Sequence, residues 1–215
     1  RPAGVAFVRA GHRMRTMTVS PENQGLHVLR RMSSYLLLPR EVSRFERDYL
    51  ASTTRVGLWF FYAHLPVMMI VALLANTSVA RAGLYTAVVL LGPTLAFRTF
   101  SNPRHITRLY AFTAMVLGGL LVHFGRGPMQ IEMHFYFFVL IALLAVFGDP
   151  LVIIVAAVTV ALHHLIVFLI APTSVFNYEA SAWAVAVHAL FVILESVAAC
   201  FVARSFFNNV IGLEK

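Results

Sequence analysis

The sequence predicts an all-α fold: a six-helix integral membrane bundle with a cytoplasmic helical lead-in and a cytoplasmic exit helix. Three observations carry that expectation. The chain is 60% hydrophobic and 12% charged, with a mean hydropathy of +0.79, outside the range of soluble domains. Its apolar residues gather into six runs close to the roughly 20 residues a helix needs to cross about 30 Å of hydrocarbon. The cations are also lopsided. Ten of the seventeen basic residues lie in the first 55 positions, while Val56–Ala203 holds five arginines, no lysine and four acidic residues. Arg98, Arg104 and Arg108 flank the link between spans two and three, and Arg204 follows span six. By the positive-inside rule these mark the cytoplasmic side, which makes both termini cytoplasmic. The net charge of +8 is then a topology signal, and no nucleic-acid partner is expected. Arg81 and Arg126 run against the trend. The single cysteine, Cys200, excludes an internal disulfide framework.

Residues 1–55 form the basic lead-in, broken at Pro21 and Pro39. Within it, residues 26–38 alternate arginine pairs with leucine, valine and methionine, which suits an anionic inner leaflet. His12 and His27 belong to this wet segment and read as surface residues. A short helix over 41–53 leads into span one, 56–75, which carries His64 and a kink-forming Pro66. Span two, 80–97, has no ionisable group in its interior. Span three, 105–124, contains Gly118-Gly119, where a helix or a planar ligand could approach closely. The outward turn 125–128 precedes span four, 131–147. Asp149-Pro150 makes an inward turn, with proline at a tolerated first-turn position of span five, 150–170. Residues 172–180 are the longest outward loop, and span six covers 181–203. Residues 204–215 read as the start of a signalling helix, and the chain as a piece of a longer protein. Phe206, Val210 and Leu213 recur at helical spacing. That stripe fits either a dimeric exit helix or a helix on the membrane surface.

Five histidines dominate the chemistry. Counted at about 1.5 Å per residue, His134, His163, His164, His188 and His123 all reach one layer in the outer half of the bilayer. Ionisable groups in hydrocarbon are costly and mark sites, and neutral imidazole is the commonest ligand for metals and haem iron. His163 and His164 diverge by about 100° around their helix and must face different neighbours. A haem b held by two imidazoles is the first expectation, with Phe135, Phe137 and Phe138 as walls and Gly118-Gly119 as clearance. Copper or zinc on His134, His188 and one of His163 and His164 is the alternative, with Glu132 or Met133 close by and Met129 favouring soft cuprous copper. A single ligand layer argues against electron conduction across the membrane and suits sensing. Deeper, His64 and Glu195 each lie about nine residues from the cytoplasmic side by helix count. A carboxylate so deep needs protonation or a partner, and a His64–Glu195 pair coupling spans one and six is expected.

The runs IEMHFYFF at 131–138, HH at 163–164, SVFNYEA at 174–180 and HALFVILE at 188–195 resemble a group of bacterial six-span sensory regions. Those regions precede the cytoplasmic output domains of chemotaxis receptors, sensor histidine kinases and diguanylate cyclases. The closing RSFFNNVIGLEK resembles the linker into such an output. The resemblance covers about residues 40–215. It implies signal input in a bacterial inner membrane, a homodimer through the exit helix, and an output domain on the same chain. Many members carry a second histidine where this chain has Tyr136. Two other readings stand beside it: a haem or metal membrane redox protein or enzyme, and a passive anchor for a cytoplasmic enzyme. No serine–histidine–acid spacing, P-loop or paired acidic motif supports hydrolytic chemistry.

Overall fold

Helix starts in this chain are written by short polar residues, several of them followed by proline. Ser43 accepts a hydrogen bond from Glu46 N (3.1 Å), Asn102 from Arg104 N (3.0 Å) and Asp149 from Leu151 N (3.0 Å). Pro103 and Pro150 then occupy first-turn positions where a missing N–H costs nothing. The computed structural model describes residues 34–176 and 181–213. Residues 1–33, with His12, His27 and most of the inner-leaflet stretch, lie outside the described residues, as do 177–180 and 214–215.

Six helices result: α1 (Arg44–Leu74), α2 (Val79–Thr99), α3 (Pro103–Phe124), α4 (Gln130–Leu144), α5 (Pro150–Ile170) and α6 (Ala182–Asn209). Short 3₁₀ turns follow α4 at Ala145–Phe147 and α6 at Ile211–Leu213. No strand occurs among the described residues. All six helices are long and apolar enough to cross a membrane. This is the predicted bundle, and the pattern of a multi-pass membrane protein.

Helix α3 is the axis. Two thirds of its apolar window (67%) is buried inside the protein, against 6% for α6. Small residues explain it: Ala111, Ala114, Gly118 and Gly119 are all buried on α3 and let neighbours approach. Helices α1, α2, α4 and α5 pack on α3, while α6 lies outside against α5 and α4.

Two boundaries differ from the sequence reading. The short helix expected over 41–53 and span one are a single 31-residue helix. Nothing breaks it, because Thr53 and Thr54 return their hydroxyls to the Tyr49 and Leu50 carbonyls (2.9 and 2.6 Å). The exit helix also does not project freely as far as residue 213. It ends at Asn209, and fully buried Ile211 turns back against Gly148. Phe207 and Ile211 are the packed residues, whereas Val210 and Leu213 of the expected stripe are exposed.

The end of the bundle holding the start of α1 and the finish of α6 is stitched by charge. Arg104 grips buried Glu46 with two contacts, Nε–Oε1 at 2.6 Å and NH2–Oε2 at 2.7 Å, and also donates to the Pro39 carbonyl. Arg108 pairs with Asp149 at 3.1 Å. Arg204 donates to the Leu37 carbonyl (3.2 Å) and lies over the Phe207 ring.

Candidate functional site

The predicted histidine layer forms at the opposite end. Gln130 anchors it: fully buried, it donates to the Thr173 carbonyl (3.2 Å) and to the Val122 carbonyl (3.4 Å). It thereby ties the start of α4 to α3 and to the segment after α5. One turn further, His134 enters the bundle. His164 comes from α5 and His188 from α6. The three rings form a near-equilateral triangle, with centroids 5.6 Å (134–164), 5.8 Å (134–188) and 6.1 Å (164–188) apart. His134 and His164 are buried; His188 is half-buried. Phe176 stacks on His134 at 6.1 Å and meets His188 edge-on at 5.6 Å. Phe137, one turn deeper on α4, packs on His164 at 5.3 Å.

One hydrogen-bond pattern repeats in all three. Nδ1 of His134 lies 2.8 Å from the Gln130 carbonyl, that of His164 2.9 Å from Val160, and that of His188 2.8 Å from Ala184. A carbonyl only accepts, so each Nδ1 carries the proton and donates it one helical turn back. In the neutral ring that leaves Nε2 as a bare lone pair. His134 Nε2 is buried with no hydrogen-bond partner. Beside the cluster is a cavity of about 630 Å³ between α4, α5 and α6, lined by the three histidines among mostly apolar side chains.

His163 turns away, as the 100° rule requires. Its Nε2 lies 2.6 Å from where a Cβ on Gly119 would stand, and its Nδ1 is buried without a partner. It shares a second cavity, about 340 Å³, with His123. His123 is not part of the cluster: Arg126 NH2 approaches its Nδ1 at 3.2 Å and Phe124 meets the ring edge-on. The clearance at Gly118-Gly119 is filled by the chain's own rings, Phe137 at Gly118 and His163 at Gly119.

Other expected partners fall elsewhere. Glu132 and Met129 are exposed, and Met133 packs at Gly125. The expected His64–Glu195 pair does not form. His64 donates from Nδ1 to the Phe60 carbonyl (2.9 Å), and its Nε2 accepts from the Tyr136 hydroxyl (2.8 Å). Helix α6 packs on α5 and α4, so the long tyrosine of α4 reaches His64 where Glu195 does not. Glu195 is half-exposed and has no hydrogen bond or ion pair among the described residues. The resemblance noted for residues 131–138 singled out Tyr136, the one mark the sequence set on this contact. Phe176 and Gln130 carried no such mark.

As the side chains stand, no three histidine, cysteine or carboxylate groups among the described residues converge into a metal-ligand set. In ring spacing alone, the three imidazoles come near such a set. With nitrogen–metal distances of about 2.0–2.1 Å, three ligating imidazoles have centroids about 5–5.5 Å apart. Contraction of the triangle by about half an ångström would bring its rings to that spacing. A bis-imidazole haem fits less well. Rings trans across the iron stand about 6.5 Å apart with the macrocycle between them, and here the third imidazole, Phe137 and Phe176 crowd that space. No family model matches the chain, and no curated protein or solved structure is significantly similar to it.

Proposed function

We propose that the chain is a membrane-embedded sensory input domain whose stimulus acts on a small transition-metal ion held by Nε2 of His134, His164 and His188. One observation carries the reading: three imidazoles from three helices stand with centroids 5.6–6.1 Å apart, each ring oriented by its own Nδ1–H···O=C bond that leaves Nε2 without a proton. Such outer bonds are what fix tautomer and orientation in histidine metal sites. Three imidazole nitrogens suit zinc or copper. Such an ion, when bound, supplies Lewis acidity and, for copper, a redox centre. The sensory role rests on the resemblance of residues 131–138, 163–164, 174–180 and 188–195 to six-span bacterial input regions. With it come the bacterial inner membrane, cytoplasmic termini, a homodimer and an output domain on the same polypeptide.

The cavity of about 630 Å³ favours a second reading, a haem b lying in that space on a single axial imidazole. Elemental analysis and an absorption spectrum of the protein purified in mild detergent separate the two. About one zinc or copper per chain without a Soret band supports the ion, and a Soret band supports haem. His134→Ala, His164→Ala and His188→Ala should each lose the bound group, while His163→Ala and His123→Ala keep it. Full retention in the first three variants sinks both readings.

A further inference from the structure

The cavity beside the cluster faces the bilayer. Phe135, Val158, Leu165, Phe191 and Ile193 border it and are at least half exposed on a surface that meets hydrocarbon in a six-span chain. Its volume of about 630 Å³ lies within the usual range for small-molecule pockets, about 300–1,000 Å³. Three imidazoles of one hydrogen-bonding sense line it. Because every cluster Nδ1–H is committed to a backbone carbonyl, a neutral cluster can accept hydrogen bonds but has no donor left to offer. An apolar pocket with acceptors only discriminates between guests: it favours an O–H and gives a ketone nothing. Phe135, Phe137, Phe138 and Phe191 present aromatic surfaces, which suit a planar ring.

We propose that this pocket binds a membrane-dissolved phenol or quinol, its hydroxyl donating to a cluster Nε2 and its apolar body lying between α4, α5 and α6. Nε2 of His188, the half-buried ring of the three, is the acceptor such a guest reaches, whereas that of His134 is buried. The inference shares its imidazoles with the metal reading but does not require the ion. The two ligands compete for the same lone pairs.

The test uses the full chain in lipid nanodiscs, stripped of metal by chelator. The probes are a decyl-tailed benzoquinol kept reduced under argon and its dimethyl ether, the same shape without O–H groups. Calorimetry should show the quinol binding about ten-fold or more tighter than the ether, the worth of one hydrogen bond. Ala161→Trp and, independently, Ala189→Trp fill the pocket from its lipid side and should abolish binding without touching an imidazole. His188→Phe should erase the preference for quinol over ether. Loading with zinc should weaken quinol binding. Equal affinity for quinol and ether, undiminished binding in both tryptophan variants, or undiminished binding in protein shown by elemental analysis to hold zinc would each overturn the proposal. Metal content measured on the same preparations keeps the two ideas apart. An ion without a quinol preference overturns this inference alone, and a quinol preference in protein that takes up no ion overturns the metal reading alone.

Discussion

At the scale of single residues, two sites test the packing argument. Gly119 exists to admit the His163 ring: a Cβ there would stand 2.6 Å from Nε2 and 3.0 Å from Cδ2, closer than atoms tolerate. Gly119→Ala should therefore cost about 1–3 kcal/mol by overpacking, read as a lower unfolding midpoint in detergent. His163→Ala in the same chain should restore most of the loss, a coupling that two independent surface effects would not show. Arg104 is the other case. Its guanidinium and the Glu46 carboxylate are both buried and face each other in two contacts. Removing one partner strands a buried charge, at about 3–5 kcal/mol, whereas replacing both with apolar residues of similar volume is far less damaging. Arg104→Leu should unfold the protein more readily than Arg104→Leu with Glu46→Leu. The opposite order would mean that the pair is hydrated and contributes little.

At the scale of elements, the exit of α6 is the informative piece. The cluster draws one histidine each from α4, α5 and α6, and the same three helices meet again at the basic end. There the α4–α5 turn, with Gly148 at φ +67°, receives Ile211. Helix α6 thus ends in this clasp rather than as a free rod. A side chain at Gly148 is excluded twice, by its left-handed backbone and by Ile211 Cδ1 at 2.7 Å from the Cβ position. Gly148→Val should release residues 209–213, seen as faster proteolysis after Asn209, while metal content stays at the level of the unsubstituted chain. Unchanged cleavage would show that Ile211 does not hold the exit in place.

For the whole molecule, the testable quantity is orientation. By the positive-inside rule the charge-stitched end is expected inside and the histidine end outside. Single cysteines at Gly127 and at Arg98, in a Cys200→Ser background, should label with an impermeant maleimide from the outside and the inside respectively. A cysteine at Gly127 meets nothing within 4 Å but strains a backbone at φ +100°, so Met129→Cys, exposed two residues on, serves as the second outward position. Labelling of Gly127→Cys only after permeabilisation would invert the topology and put the cluster in the inner half.

The sequence by itself determined the helix count, the helix limits to within a few residues at most ends, and the depth of the histidines. Each of these follows from local properties: apolar run length, capping residues and about 1.5 Å of rise per residue. It also required His163 and His164 to face apart, because the helical angle between neighbours is intrinsic to the backbone. Tertiary structure alone decided partnership. Glu195 and His64 share a depth, yet α6 sits outside α5, so Tyr136 takes the histidine and the acid is left alone. Gly118-Gly119 looked like room for a macrocycle and is filled by Phe137 and His163. Phe176, in the segment after α5 and invisible to any periodicity, covers the cluster. Depth is a one-dimensional property that a sequence carries, whereas azimuth around each helix and the order of helices around α3 emerge only when all six pack together.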